Sequence, residues 1–160
     1  MALGQGRNSD VKTPIEPVPV PAELAKALEN PPLGDLNADD KPLLAISRST
    51  GYRFEKGKPL RTTLRRKFRV LNQAGVSFLS SIDYSFHPSS ERIYVNRLEV
   101  TDADGKVIAK GTVDDLYVRD AGGEMGTDEK SLVIPVPGVR VGCTIEVEVT
   151  KEDRAVTKEF

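Results

Sequence analysis

Between Ser131 and Val149 the chain reads Ser-Leu-Val-Ile-Pro-Val-Pro-Gly-Val-Arg-Val-Gly-Cys-Thr-Ile-Glu-Val-Glu-Val. An apolar run leads into a Pro-Val-Pro-Gly corner, Gly142 starts a turn, and from Cys143 apolar and polar residues alternate without a break. A period of two places Cys143, Ile145, Val147 and Val149 on one face and Thr144, Glu146 and Glu148 on the other, which is the pattern of a half-buried strand. Pro135 and Pro137 exclude a helix through the corner. The stretch therefore commits the chain to a β-sheet with one apolar face.

Other segments repeat the pattern. Residues 61–71 predict a strand with Leu64, Phe68 and Val70 on one face, followed by a turn at Gly75. Phe78, Ile82, Tyr84 and Phe86 then share a face, with Leu79, Ser81, Asp83, Ser85 and His87 on the other. In residues 93–101 the apolar positions change parity, from Ile93 and Val95 to Leu98 and Val100, which predicts a β-bulge near Asn96-Arg97. Asp102-Ala103-Asp104-Gly105-Lys106 predicts a tight hairpin with Gly105 in the left-handed conformation and a return strand over 107–113. Tyr117 and Val118 form another short strand candidate before a flexible Gly-rich segment over 121–126. Strands at this spacing, with no long helix between them, imply an all-β antiparallel sandwich.

The front of the chain differs. Pro14, Pro17, Pro19 and Pro21 make residues 1–21 an extended leader without a fold of its own, either a linker or a segment lying along an edge of the domain. Residues 22–29 predict one short helix, preceded by Pro21, with Leu24 above Leu28 and a stop at Asn30-Pro31-Pro32. The organisation expected is a leader over 1–21, a short helix and loop over 22–50, and a sandwich domain over 51–160, truncated at its C-terminus. No internal repeat is visible.

With 160 residues, 38% of them hydrophobic, the chain can bury a core, and the absence of Trp leaves that core to Val, Ile, Leu, Phe and Tyr. A net charge of −1 supplies no general attraction to nucleic acid or to a membrane surface. The lone Cys143 excludes an intrachain disulfide and reads as a small core residue. No apolar run approaches the ~18 residues of a spanning helix. The first residues lack the apolar centre of a secretory signal, so either the protein is cytosolic or a signal has been removed from the chain as read.

Sites with chemistry are sparse, and the expectation is no catalytic residue, no cofactor and no metal ligand. Aligning Gly105 with the glycine of a calcium loop puts Val100 and Gly111 where carboxylates are needed, so Asp102 to Lys106 reads as a hairpin turn. His87, the only histidine, precedes Pro88 at a strand end and has no nucleophile motif around it. Asp114-Asp115 and Asp128-Glu129 could contribute to a weak calcium site but read as solvated acids.

Charge is unevenly spread. Arg48, Arg53, Lys56, Lys58, Arg61, Arg65, Arg66, Lys67 and Arg69 are opposed only by Glu55, whereas 99–129 is mostly acidic. Phe68 alternates with Arg65, Lys67 and Arg69, so aromatic and basic residues do not share a face as nucleic-acid binding would want. Cross-strand pairing between the basic and acidic segments is the expectation.

Three blocks carry a family resemblance: Lys67-Phe68-Arg69-Val70-Leu71-Asn72-Gln73-Ala74-Gly75-Val76; Ile93-Tyr94-Val95 through Asp102-Ala103-Asp104-Gly105-Lys106-Val107-Ile108; and Ile134-Pro135-Val136-Pro137-Gly138 through Gly142-Cys143-Thr144-Ile145-Glu146. In order and spacing they resemble a bacterial domain of unknown function that lies N-terminal to transglutaminase-like (papain-like thiol hydrolase) domains. Cys143 stands where that family usually has Asp, and the chain ends at Phe160 where more strand is expected. The resemblance implies a β-sandwich accessory domain, periplasmic or extracellular, and transfers no catalytic residue.

The reading is thus a non-catalytic accessory or scaffolding module whose partner is a neighbouring transglutaminase-like domain or another protein. No nucleic acid and no membrane insertion are expected, and an exposed sheet edge could pair two copies into a homodimer. The alternative is an extracellular carbohydrate- or peptide-binding sandwich, for which the aromatic content is thin.

Overall fold

A six-stranded sheet on one side and a three-stranded sheet on the other make an unequal sandwich. The computed structural model describes residues 11–12, 16–29, 41–121 and 128–158. In chain order the elements are β1 (Val11–Lys12), α1 (Ala22–Glu29), β2 (Leu43–Arg53), β3 (Pro59–Val70), α2 (Gln73–Phe78), β4 (Ser81–Phe86), β5 (Glu91–Thr101), β6 (Val107–Lys110), β7 (Tyr117–Asp120), β8 (Lys130–Pro135) and β9 (Thr144–Val156). The larger sheet runs β1-β5-β9-β3-β2, with β6 also paired to β5; the smaller runs β4-β8-β7. Apart from the parallel β1–β5 pair, all pairings are antiparallel. The all-β sandwich expected from the alternation is the observed fold.

The core lies where the two sheets face each other. β9 is its spine: Ile145, Val147 and Val149 are fully buried, and Cys143 is buried beside them as the alternation requires. They meet Ile82, Tyr84 and Phe86 of β4 and Leu132 and Ile134 of β8. The change of parity in β5 is a real irregularity, with the register to β9 shifting between Val95 and Arg97. Gly105 closes the β5–β6 hairpin at φ +84, the left-handed region that favours glycine.

Several expectations are corrected. Residues 43–50, expected as loop, form most of β2 and pair along β3 from Leu43↔Val70 to Arg53↔Arg61. The strand is hidden in the sequence because a bulge between Ala45 and Ser47 breaks its period and its inward face is left open to water. Phe78 does not share the face of Ile82 and Tyr84: it ends α2 and is 71% exposed, and β4 begins at Ser81. Gly75 makes no turn but sits inside α2, which Asn72 caps by accepting from the Gly75 N–H at 3.2 Å. A Cβ there would overlap the Pro42 carbonyl, so close approach explains this glycine. The return strand stops at Lys110 instead of Val113. The helix over 22–29 forms as expected, whereas its Asn30-Pro31-Pro32 stop and residues 122–126 lie outside the described residues.

Of the leader, residues 16–21 lie against the domain. Val18, 7% exposed, packs against Gly51 and donates its N–H to Thr63 Oγ1 at 2.9 Å. Its carbonyl accepts from Arg65 Nη2 at 2.5 Å. Thr63 in turn hydrogen-bonds Thr150 Oγ1 at 2.8 Å, so the leader is bolted to the outer face of β3 and β9.

Candidate functional site

Three strands cannot cover six. The inward-facing residues of β9 are shut away, but those of β3 (Leu64, Arg66, Phe68) are half-buried, and Arg48, Thr50 and Tyr52 of β2 are exposed. The result is an open shelf: a floor of β2 and β3 ending against β4, the edge strand of the smaller sheet. At one end of the shelf Tyr52 and Phe54 are 60% and 55% exposed, and their rings stack with centroids 6.4 Å apart.

At the back of the shelf Arg66 lies across Tyr84, its guanidinium carbon 5.2 Å from the ring centroid. Arg66 has the same parity as Leu64 and Phe68, so it projects inward where an apolar residue would continue the core. Arg48 stands directly opposite it in the register of β2 and β3. Arg66 Nε and the Tyr84 hydroxyl are buried with no hydrogen-bond partner among the described residues. Burial pushes the Tyr84 phenol above its ordinary pKa, with the charges of Arg66 and Arg48 opposing that shift.

The outer face of the same sheet is compensated. Arg61 Nε meets Glu152 at 2.8 Å, Arg65 Nε meets Glu148 at 2.6 Å, and Arg97 Nη1 meets Glu146 at 3.2 Å. In the basic segment Arg61 and Arg65 pair with acids outside 99–129, which departs from the expectation. The partners of Arg61 and Arg65 are glutamates of β9, because β9 is the strand that hydrogen-bonds to β3. A cleft of about 290 Å³ lined by Glu16, Arg53, Glu55, Lys58, Pro59 and Arg61 is likewise self-neutralised. Lys58 and Arg53 hydrogen-bond Glu55 and hold its carboxyl below the usual range.

His87 and Asp128 come together with Ser89, a grouping the sequence did not suggest. The imidazole Nδ1 is 3.1 Å from Asp128 Oδ1, while Ser89 donates both its N–H, at 3.0 Å, and its hydroxyl to Asp128 Oδ2. These bonds, the Ser89 hydroxyl's foremost, hold Asp128 down at a pKa of about 2. A nucleophilic serine needs its hydroxyl on the imidazole; here it is on the carboxylate, so the cluster clips the β4–β5 turn to Asp128, two residues before β8. Cys143 is sealed in the core, 1% exposed. Asp102 Oδ1 spends its lone pairs on the N–H groups of Asp104 and Lys106, at 2.9 and 3.0 Å, as a turn cap. Asp115 accepts from Thr112 Oγ1 at 2.7 Å. Among the described residues no group of three or more His, Cys, Asp or Glu is placed to hold a metal ion, and no helix is long and apolar enough to cross a membrane.

The shelf residues were visible in the sequence only in part. Arg48 and Arg66 stood within the basic run, and the signal for Arg66 was its parity with Leu64 and Phe68. Tyr52 and Phe54 carried no signal, since their exposure depends on the width of the opposing sheet.

Fold and surface together define a β-sandwich domain with an open inner face. Residues 59–159 match the family described as a domain of unknown function with solved structure, DUF3857. The chain belongs to that family. No curated protein matches it. Among solved structures it is similar to a putative protease from Parabacteroides distasonis, with a TM-score of 0.62 and 11% identity over 71% of this chain and 23% of that one. It spans less than a quarter of that protein's length. A family 3a carbohydrate-binding module from the CipA scaffolding of Clostridium thermocellum aligns with a TM-score of 0.39 and 8% identity, over 70% of this chain and 76% of that one. A version of that module with flanking linkers gives 0.40 and 9%, over 71% and 68%.

Proposed function

We propose that this chain is a non-catalytic accessory domain of an exported protein, which docks against and positions a neighbouring transglutaminase-like domain. The observation that carries the reading is the open inner face of β2 and β3, a preformed surface with stacked aromatics at one end. Its likeness to a part of a longer putative protease, and the resemblance of its three sequence blocks to a module preceding thiol hydrolases, support the same reading. The test has two arms. The purified chain should turn over no peptide or ester substrate, and a transglutaminase-like domain titrated with it should bind saturably, with Tyr52→Ser weakening the complex. Turnover that disappears in His87→Ala or Cys143→Ala would overturn the proposal.

The Tyr52–Phe54 pair favours a second reading, a module that recognises carbohydrate by stacking on those rings. Saturable glycan-array binding lost in Tyr52→Ser would establish it, and a clean negative array would remove it.

A further inference from the structure

The direction of the backbone groups in β4 determines what the open shelf can accept. Ser80 O accepts from Val136 N at 2.9 Å, so by the period of two Ile82, Tyr84 and Phe86 also turn their backbone groups toward β8. Ser81, Asp83 and Ser85 then turn theirs the other way, over the shelf. The Ser85 carbonyl is taken by Lys151 Nζ. The N–H and C=O groups of Ser81 and Asp83 have no strand beside them among the described residues. Such an edge is a template for an added strand.

A strand added there would sit about 4.8 Å from β4 and about 10 Å above β3 and β2, so its inward side chains would fall on Arg66 and Arg48. Those two arginines oppose each other across the strand pair, an arrangement of like charges that costs stability. Neither has a carboxylate partner among the described residues, in contrast to Arg53, Arg61, Arg65, Arg92, Arg97 and Arg119. Lys151 adds a third positive charge at the same edge. A carboxylate lowered between the guanidiniums would answer the like-charge opposition and give the buried Arg66 donor an acceptor.

We propose that an extended segment of a partner protein, bearing a carboxylate on its inward face, adds to the free edge of β4 and is held by Arg48 and Arg66. The inference rests on the reading of this chain as an interaction module and names the chemistry of what it takes. Backbone pairing supplies the generic affinity, and the two arginines select Asp or Glu over neutral and basic residues.

The test uses short peptides of alternating Thr and Val with Glu, Gln or Lys at the central inward position, titrated into isotope-labelled protein. The Glu peptide should move the amide resonances of Ser81 and Asp83 and bind about tenfold tighter than the Gln peptide, with the Lys peptide weaker still. Methylating the peptide nitrogens that face β4 should abolish binding. The double variant Arg48→Gln, Arg66→Gln should erase the Glu preference; if it does not fold, Arg48→Gln alone, at an exposed position, should reduce it. Equal binding of Glu and Gln peptides, shifts at β7 instead of β4, or no shift at millimolar peptide would each overturn the proposal. So would a concentration-dependent dimer that protects the β4 amides without peptide, which would give the edge to a second copy. If the peptides fail while a transglutaminase-like domain still binds, this inference falls alone; if both fail, the accessory reading falls with it.

Discussion

Arg65 and Arg66 are neighbours in sequence and opposites in circumstance. Arg65 points to the outer face of the larger sheet, where Glu148 holds its Nε at 2.6 Å and the Val18 carbonyl takes Nη2. Arg66 points to the inner face, lies on Tyr84, and has a buried Nε without an acceptor. Both belong to β3 and both are half-buried, so the difference is supplied by their surroundings. On the outer face β9 offers Glu146, Glu148 and Glu152. On the inner face the same strand offers Ile145, Val147 and Val149, which build a core and leave a charge unanswered. A satisfied arginine anchors the fold, and an unsatisfied one marks where something else can be bound.

The largest effect should come from the layer beneath both faces. Ile145→Ala, at a fully buried site, should cost about 2–5 kcal/mol in denaturant unfolding; a loss well under about 1 kcal/mol would mean the two faces are not built on a shared packed layer. Next, Thr63→Val removes the hydroxyl that holds both Val18 and Thr150, leaving the Val18 N–H unpaired and Thr150 Oγ1 with Asn96 alone. A cost of about 1–3 kcal/mol is expected, and no loss would show that the leader adds nothing to the outer face.

The sharpest test is the matched pair. Arg65→Met should destabilise by about 1–2 kcal/mol because it strands Glu148, whereas Arg66→Met should stay within about 0.5 kcal/mol of the parent in either direction. Equal costs would break the comparison. The smallest effect is a titration. Tyr84 carries a raised pKa in the folded state, so its contribution to stability is complete below the unfolded phenol's pKa and declines as pH rises through and above it. Ultraviolet titration of Arg66→Met should show Tyr84 ionising at still higher pH, since the variant loses a charge that favours phenolate; an unchanged or lower pKa would contradict the placement of Arg66 over the ring.

What could be read from the sequence was whatever depended on one strand and one buried face. The alternation of β4 and β9, the bulge after Val95 and the left-handed Gly105 were all plain, because each is a local response to the pleat. β2 is hard to read because beyond Leu43 its inward residues are mostly polar and open to water, and its bulge breaks the period. The ion pairs were assigned to the wrong acids for a related reason. Charge balance along a chain says that partners are needed, but strand order decides which, and the alternation over 143–149 shows Glu146 and Glu148 only as the solvent side of a strand. The shelf itself depends on a difference between two sheet widths, which no single segment encodes.

The bolt between Val18 and Thr63 has a consequence for timing. It joins residues 45 apart in sequence, and it presupposes that β2, β3 and β9 have already assembled, since Gly51, Thr63 and Thr150 together form its seat. Contacts of such long loop closure form late, after the entropy of assembling their seat has been spent. The leader should therefore be absent from the folding transition state and present in the native barrier to unfolding, governing how slowly this sandwich comes apart while leaving almost untouched the speed at which it forms.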